Sequence, residues 1–446
     1  MEVTDFSKGD IKKNILRLAM PMTLAQLINV LYNIVDRIYI GRMQGGESLA
    51  LTGVGVCLPV VSIIIAFANL IGMGGAPLFS IERGKKNQQE AEYILGNSLI
   101  LLILFGALLT VAGYVFKVPL LYLLGASEKT IVYANQYLSI YLIGNIFVLL
   151  SLGLNNFINA QGFGRTGMVT VAIGAGLNIL LDPIFIYTFD FGVRGAALAT
   201  VISQALAMLW TLRFLLGRRA VVTIRRDRIR LQAGRVGKIL TLGLSGFTMS
   251  VTNSFVQMVC NASLQSYGGD IYVGIMTIIN SLREVVTMPA MGISSATQPV
   301  LGYNYGAGEM KRVKQSISFM SVVLILYTLA IWGFLFVFPR FFMGIFTSNS
   351  QLIEKGIPCL HIYFFGFCFM ALQFSGQSTF TGLGFSKRAI FFSVFRKVII
   401  VIPLTLLLPL FLSSPSQGVF LAEPISNLIG GGACFVTMII TVYHNI

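Results

Sequence analysis

The chain has 446 residues, of which 55% are hydrophobic and only 11% charged, with a formal net charge of +15. Soluble proteins carry about 25% charged residues, so the composition excludes a string of soluble domains. The excess of Lys and Arg is spread over the ends of apolar segments, which argues against a nucleic-acid-binding face. Apolar stretches of about 20 residues recur instead, each long enough to cross a ~30 Å hydrocarbon layer as a helix.

Twelve such spans are read near 14–40, 52–80, 93–116, 131–160, 167–189, 194–216, 238–265, 271–301, 315–338, 356–382, 388–412 and 418–443. The sequence therefore predicts an all-α polytopic membrane protein embedded in the lipid bilayer. The polar N-terminus lacks the pattern of a cleavable signal peptide, so the first span is expected to be retained. With the N-terminus placed in the cytoplasm, most of the 32 Lys and Arg fall on that side: Lys8 to Arg17, Arg83 to Lys86, Arg165, the linker after the sixth span, Lys311 to Lys314, and Lys387 with Arg388. This positive-inside asymmetry predicts that both termini are cytoplasmic. The basic linker itself reads either as a topology determinant or as a contact with anionic lipid. Five cysteines (57, 260, 359, 368 and 434) lie in apolar segments without metal-ligand spacing and read as packing residues.

Several spans carry polar groups that lipid would not tolerate. In the first, Gln26, Asn29, Asn33 and Asp36 recur at helical intervals with Tyr32 one turn before Asp36, and Pro21 is expected to bend the helix. Arg37 follows Asp36, but adjacent helical residues point about 100° apart. The fifth span contains GLNILLDPIFIY (176–187), with Asn178 and Asp182 one turn apart on one face and Pro183 directly after. A charge at the bilayer centre costs at least ~2.5–3.5 kcal/mol, and Pro183 deprives the Ile179 carbonyl of its helical partner. Thr200 in the sixth span adds a hydroxyl. Two carboxylates, an amide and a hydroxyl are hard oxygen donors that suit Na⁺ or a shared proton, and two carboxylates buried together disfavour being charged at once.

The chain is also a duplicated half. An offset of 222 residues places Leu18 on Leu240, Pro77 on Pro299, Tyr141 on Tyr363, Gly144 on Gly366 and Gly162 on Gly384. Six spans per half make these parallel repeats, predicted to form two pseudo-twofold-related six-helix bundles with a substrate path at the repeat interface. The domain reading is an N-terminal lobe over 1–217, a basic cytoplasmic linker over 218–237 and a C-terminal lobe over 238–446. The same offset puts Asp36 on Met258, Asn178 on Ile400 and Asp182 on Leu404. Polar groups present in one half and absent from the other serve something other than the shared fold, so the chemistry is expected in the first half.

The segments LAMPMTLAQLINVLYNIVDRIYIGR (18–42), LNILLDPIFIY (177–187) and MGISSATQPVLGYNYGAG (291–308) resemble those of the multidrug and toxic compound extrusion (MATE) family, and the similarity covers essentially the whole chain. The resemblance implies export of diverse, often cationic organic compounds driven by inward H⁺ or Na⁺, with no other cofactor. It also implies a cation-coupling site at Asp36, Asn178, Asp182 and Thr200, with Tyr32 nearby and Pro21 as the bend. Acids that some branches carry in the seventh and tenth spans are absent here, where Gln257 and Gln373 stand.

For the substrate cavity, the candidates are Gln26, Asn29 and Asn33 with two further stripes. Ser151, Asn155 and Asn159 lie opposite Gln373, Gln377 and Thr381 at the repeat offset. They read equally as a shared cavity or as helix–helix hydrogen bonds. Gln257, Glu284 and Glu423 complete the set; Glu284 either attracts a cationic substrate or pairs with Arg396 or Lys397. The expected function is a monomeric secondary antiporter of organic cations or drugs. The alternatives are a flippase of lipid-linked saccharide, which would want a basic cavity, and a channel or sensor. With two histidines, His361 and His444, and no catalytic spacing, an enzyme is not expected.

Overall fold

The computed structural model describes residues 4–41, 47–347 and 349–446, and within these the chain is helical, without a strand. The first six spans are α1 (Ile11–Gly41), α2 (Glu47–Gly84), α3 (Gln88–Leu123), α4 (Ile131–Ala160), α5 (Gly164–Pro183) and α6 (Val193–Leu216). Where two spans were expected near 238–265 and 271–301, one 74-residue helical run, Ala233–Gly306, appears. At 1.5 Å per residue it is far too long for one crossing, and it breaks at Gly269 with φ 67° and ψ −168°. Only glycine adopts that backbone freely. The run is accordingly two spans, α7 (233–268) and α8 (270–306). Next come α9 (Met310–Val337), a short helix Pro339–Phe346, and α10, whose parts Ser350–Phe364 and Phe367–Gly382 meet at 41°. The last two are α11 (Ser386–Phe411) and α12 (Pro415–Tyr443). Ten helices pass a length-and-hydropathy test for crossing a membrane. Dividing Ala233–Gly306 and counting the bent pair gives twelve spans, and the protein is a multi-pass membrane protein.

Outward-facing rows such as Leu104, Leu108, Val111 and Val115 on α3 are exposed, as a lipid-facing stripe at helical spacing must be. Cys57, Cys260, Cys359 and Cys434 are buried thiols and Cys368 is half-buried. Pro21 lies within α1, which continues through it as one helix. Pro183 has the larger local effect. After it the ladder widens over Ile184–Thr188, where the Phe189 N–H reaches back five residues to the Ile184 carbonyl at 2.9 Å.

The chain divides into two compact units, and their boundaries differ from the repeat boundaries. The first holds Met20–Gly243 and the stretch ending at Asp5; the second holds Phe6–Ala19 and Leu244–Ile446. In the first unit, α2 and the first turns of α7 cross backbone to backbone. A Cβ on Gly243 would overlap the Leu70 carbonyl oxygen, and one on Gly74 would overlap that of Ile239. The segment read as the basic linker is docked in the same unit. Gln161 Oε1 accepts the Val222 N–H and Asn97 Oδ1 the Gln232 N–H, each at 3.0 Å. Glu90 takes a two-pronged bond from Arg235 at 2.7 and 2.5 Å. In the second unit, Arg312 donates to the carbonyls of Phe6, Lys8 and Gly9 at 3.0, 3.3 and 3.1 Å. Those bonds tie the N-terminal stretch to α9.

Candidate functional site

In the first unit, α1, α5 and α6 bring Asp36, Asn178, Asp182 and Thr200 together. Asp182 is fully buried, and Asn178 and Thr200 nearly so. One helical turn separates Asn178 from Asp182, so both side chains leave the same face of α5. With its nitrogen toward Asp182, the Asn178 amide donates to Oδ2 at 2.8 Å and accepts from the Thr200 N–H at 3.2 Å and hydroxyl at 3.1 Å. The Asp182 carboxyl is also in hydrogen-bond contact with that of Asp36. Two adjacent negative charges repel, so a pair placed in this way favours a bound cation or a shared proton.

Tyr32, one turn from Asp36 on α1, reaches the Thr200 side chain. Two groups that the sequence did not single out as site residues stand beside them: Tyr137 and Tyr141 on α4, stacked at 5.9 Å, with Tyr137 close to both Asp36 and Tyr32. Their four-residue spacing was the available signal, but tyrosines at that interval are common in any packed helix. Among the described residues no three His, Cys, Asp or Glu side chains gather as for a metal ion. A cation held here draws its remaining ligands from the amide, the hydroxyls and the phenol, all oxygen donors.

The remaining candidates fall elsewhere. Gln26 is exposed, Asn29 is half-buried, and the side chains of Asn33 and Arg37 lie outside the described residues. The Ser151 hydroxyl donates to Gln204 Oε1 at 2.8 Å, and the Asn155 amide to the Gly167 carbonyl at 3.2 Å. Asn159 is buried against Gly167. At the repeat-equivalent place, Gln377 donates to the Ala389 carbonyl at 2.9 Å and to Ser393 at 3.0 Å. Of the two readings left open for these stripes, the observed contacts of Ser151, Asn155 and Gln377 are helix–helix bonds. Gln373 is buried in α10.

Of the two readings left open for Glu284, the pairing with Arg396 and Lys397 is made by Glu423 instead. Lys397 Nζ lies 2.9 and 3.1 Å from its two oxygens and Arg396 3.2 Å from one. Glu284 is exposed, since it follows Arg283 by one residue and leaves α8 on a different side. The second unit thus holds a buried charge cluster of its own, around Glu423.

A membrane-embedded carboxyl pair in a twelve-span duplicated chain is the arrangement of a transporter. The family model described as MatE matches residues 21–184 and 246–407, and the chain belongs to that family of transporters. It is 25% identical over 399 residues to a "Multidrug export protein MepA" of Staphylococcus aureus (strain MRSA252), spanning 89% of this chain and 87% of that one. A MepA of Staphylococcus saprophyticus is 23% identical over 396 residues, with the same coverage. Among solved structures, an outward-facing multidrug resistance MATE transporter superposes with a TM-score of 0.92 at 24% identity, covering 100% of this chain and 98% of that one. A MATE structure in complex with MaD3S gives 0.92 at 25% identity, with 100% and 99% covered.

Proposed function

We propose that the protein is an antiporter that exports diverse, mainly cationic organic compounds in exchange for inward H⁺ or Na⁺, with both termini in the cytoplasm. The observation that carries the reading is the contact of the half-buried Asp36 carboxyl with that of Asp182, which is buried with Asn178 and Thr200 inside the first unit. Similarity to proteins named for multidrug export supports the choice of cargo. In the proposed cycle a proton or Na⁺ from outside binds Asp36 and Asp182, α1 bends at Pro21, and substrate leaves outward. Return of the carrier and release of the cation to the cytoplasm complete the turn. The protein's part is to hold the two acids close enough that loading one cation relieves their repulsion.

The test is efflux of a fluorescent organic cation from loaded cells, wild type against Asp182→Asn at matched expression. Active efflux in the wild type and none in the variant is the expected result. Undiminished coupled efflux in Asp182→Asn sinks the coupling role. In proteoliposomes, efflux driven by a pH step without Na⁺ assigns H⁺ as the coupling ion, and a strict Na⁺ requirement assigns Na⁺.

A further inference from the structure

The repeat comparison that singles out Asp36 and Asp182 can be run in the other direction. At the 222-residue offset, Arg396 and Lys397 stand where the first half has Gly174 and Ala175, and Arg283 where it has Val61. After the four-residue-longer loop near 413, Glu423 stands where it has Ala197. The second unit has its own asymmetric set of charges, placed in small apolar positions of the repeat.

Three cations therefore surround one carboxylate. Lys397 is 2% exposed, Glu423 6% and Arg396 9%. Both oxygens of Glu423 are taken by Lys397, and Arg396 shares one of them while giving its shortest bond, 2.6 Å, to Asn427 Oδ1. Arg283 approaches Glu423 only to 3.9 Å and otherwise bonds to Tyr363. A guanidinium has five N–H donors, so Arg283 retains capacity for another acceptor. Uncompensated buried charge is among the costliest arrangements a protein can hold, and by formal count this cluster sets three basic side chains, Arg283, Arg396 and Lys397, against one carboxylate.

The excess faces a cavity. Arg283, Lys397, Tyr363 and Glu423 line it together with three neutral amides, Asn253, Gln257 and Asn280, so two basic side chains and one carboxylate face the space. It offers about 20 Å³ to a water-sized group, where a single water needs roughly 10–15 Å³. That admits one carboxylate head or one halide ion and is too small for a whole organic compound. The wide helical turn Phe395–Val401 carries Arg396 and Lys397, and such turns are frequent at functional sites. Gly430 packs against the Arg396 stem, where a Cβ would sit 2.8 Å from Cγ. The cation is thereby held in place rather than left to find a position.

We propose that this cavity in the second unit is a binding site for a single monoanionic group, a carboxylate or a halide, received by Arg283 and Lys397. The inference stands apart from the coupling reading, since it uses no residue of the first unit. The anion is either free in solution or the carboxylate end of an organic compound.

The experiment uses the full chain in lipid nanodiscs, in a methanesulfonate background. Melting is followed with added chloride or acetate, and fluorescence polarisation compares rhodamine B, which has a free carboxylate, with its ethyl ester. Wild type is expected to melt higher with acetate or chloride, which identifies a free anion, or to bind rhodamine B at least about tenfold tighter than the ester, which identifies an organic carboxylate; tenfold corresponds to about 1.4 kcal/mol. Arg283→Gln is expected to abolish the response without changing ester binding. Asn280→Asp, which sets a competing acid in the lining and leaves the ion cluster intact, should do the same if Arg283→Gln fails to fold. No anion effect in wild type, or an effect that survives in the folded variant, overturns the proposal.

Discussion

Asn178 donates to Asp182 Oδ2 at 2.8 Å while its oxygen takes both the N–H and the hydroxyl of Thr200. The amide thus ties α5 to α6 at the depth where Asp182 meets Asp36. An amide in this position supplies a donor to an ionised Asp182, whereas the Asp36 contact supplies the proton that makes the pair tolerable. In the proposed cycle, loading and unloading of the site would change which neighbour Asp182 relies on.

Replacing Asn178 by leucine keeps the volume and removes that donor. A buried carboxylate left without a partner costs about 1–3 kcal/mol, so dye efflux should fall roughly tenfold or more at equal expression. Efflux within about twofold of wild type would show that the amide has no part in the cycle.

Gly243→Ala should be far more harmful than its chemistry suggests, because the new methyl meets the Leu70 backbone carbonyl and no side chain can move aside. Overpacking of this kind costs about 1–3 kcal/mol. Gly234→Ala, with open space around it, serves as the control. Detergent melting curves should separate the two; equal melting would mean that α2 and α7 have room to part.

Glu423→Gln removes the one carboxylate among three cations. Breaking a buried ion pair from one side costs about 3–5 kcal/mol, so the variant should melt much lower than wild type. Adding Lys397→Met should recover a large part of the loss by removing the cation that Glu423 holds most closely. A double variant no more stable than the single one would show that Lys397 gains little from the pair.

The Glu90–Arg235 pair should matter less. Its side chains are 28% and 18% exposed, and exposed or partly exposed pairs contribute about 0.2–1 kcal/mol, screened by salt. Glu90→Gln is expected to lower melting slightly at low ionic strength and hardly at all in high salt. A large, salt-independent drop would indicate that the pair anchors the linker.

Sequence reasoning reached the twelve spans and the residues gathered around Asp182, because both follow from periodicity and from the cost of charge in lipid. It named Glu423 but missed its partners, for an identifiable reason. The partner of Lys397 lies 26 residues on, across the turn between α11 and α12, and no local spacing marks it. Glu284 drew attention as an acid within an apolar span, yet its side chain is exposed. Tyr137 was unreadable because nothing local distinguishes a tyrosine beside an acid from one in a core. The merged run Ala233–Gly306 was partly legible, since Gly268 and Gly269 mark the place where it turns.

The unit boundaries bear on how the protein is made. Phe6–Ala19 belong with residues from Leu244 onward, and the stretch up to Gly243 belongs with the first unit. During synthesis the first unit lacks its last helical turns until the ribosome has passed the linker. Phe6–Ala19, meanwhile, lack part of their final packing until α9 and its Arg312 have emerged. Neither half is finished when the other begins. A gene cut within 218–237 would therefore yield two fragments that each carry a piece of the other's packing, and they should reach a stable state only when produced together.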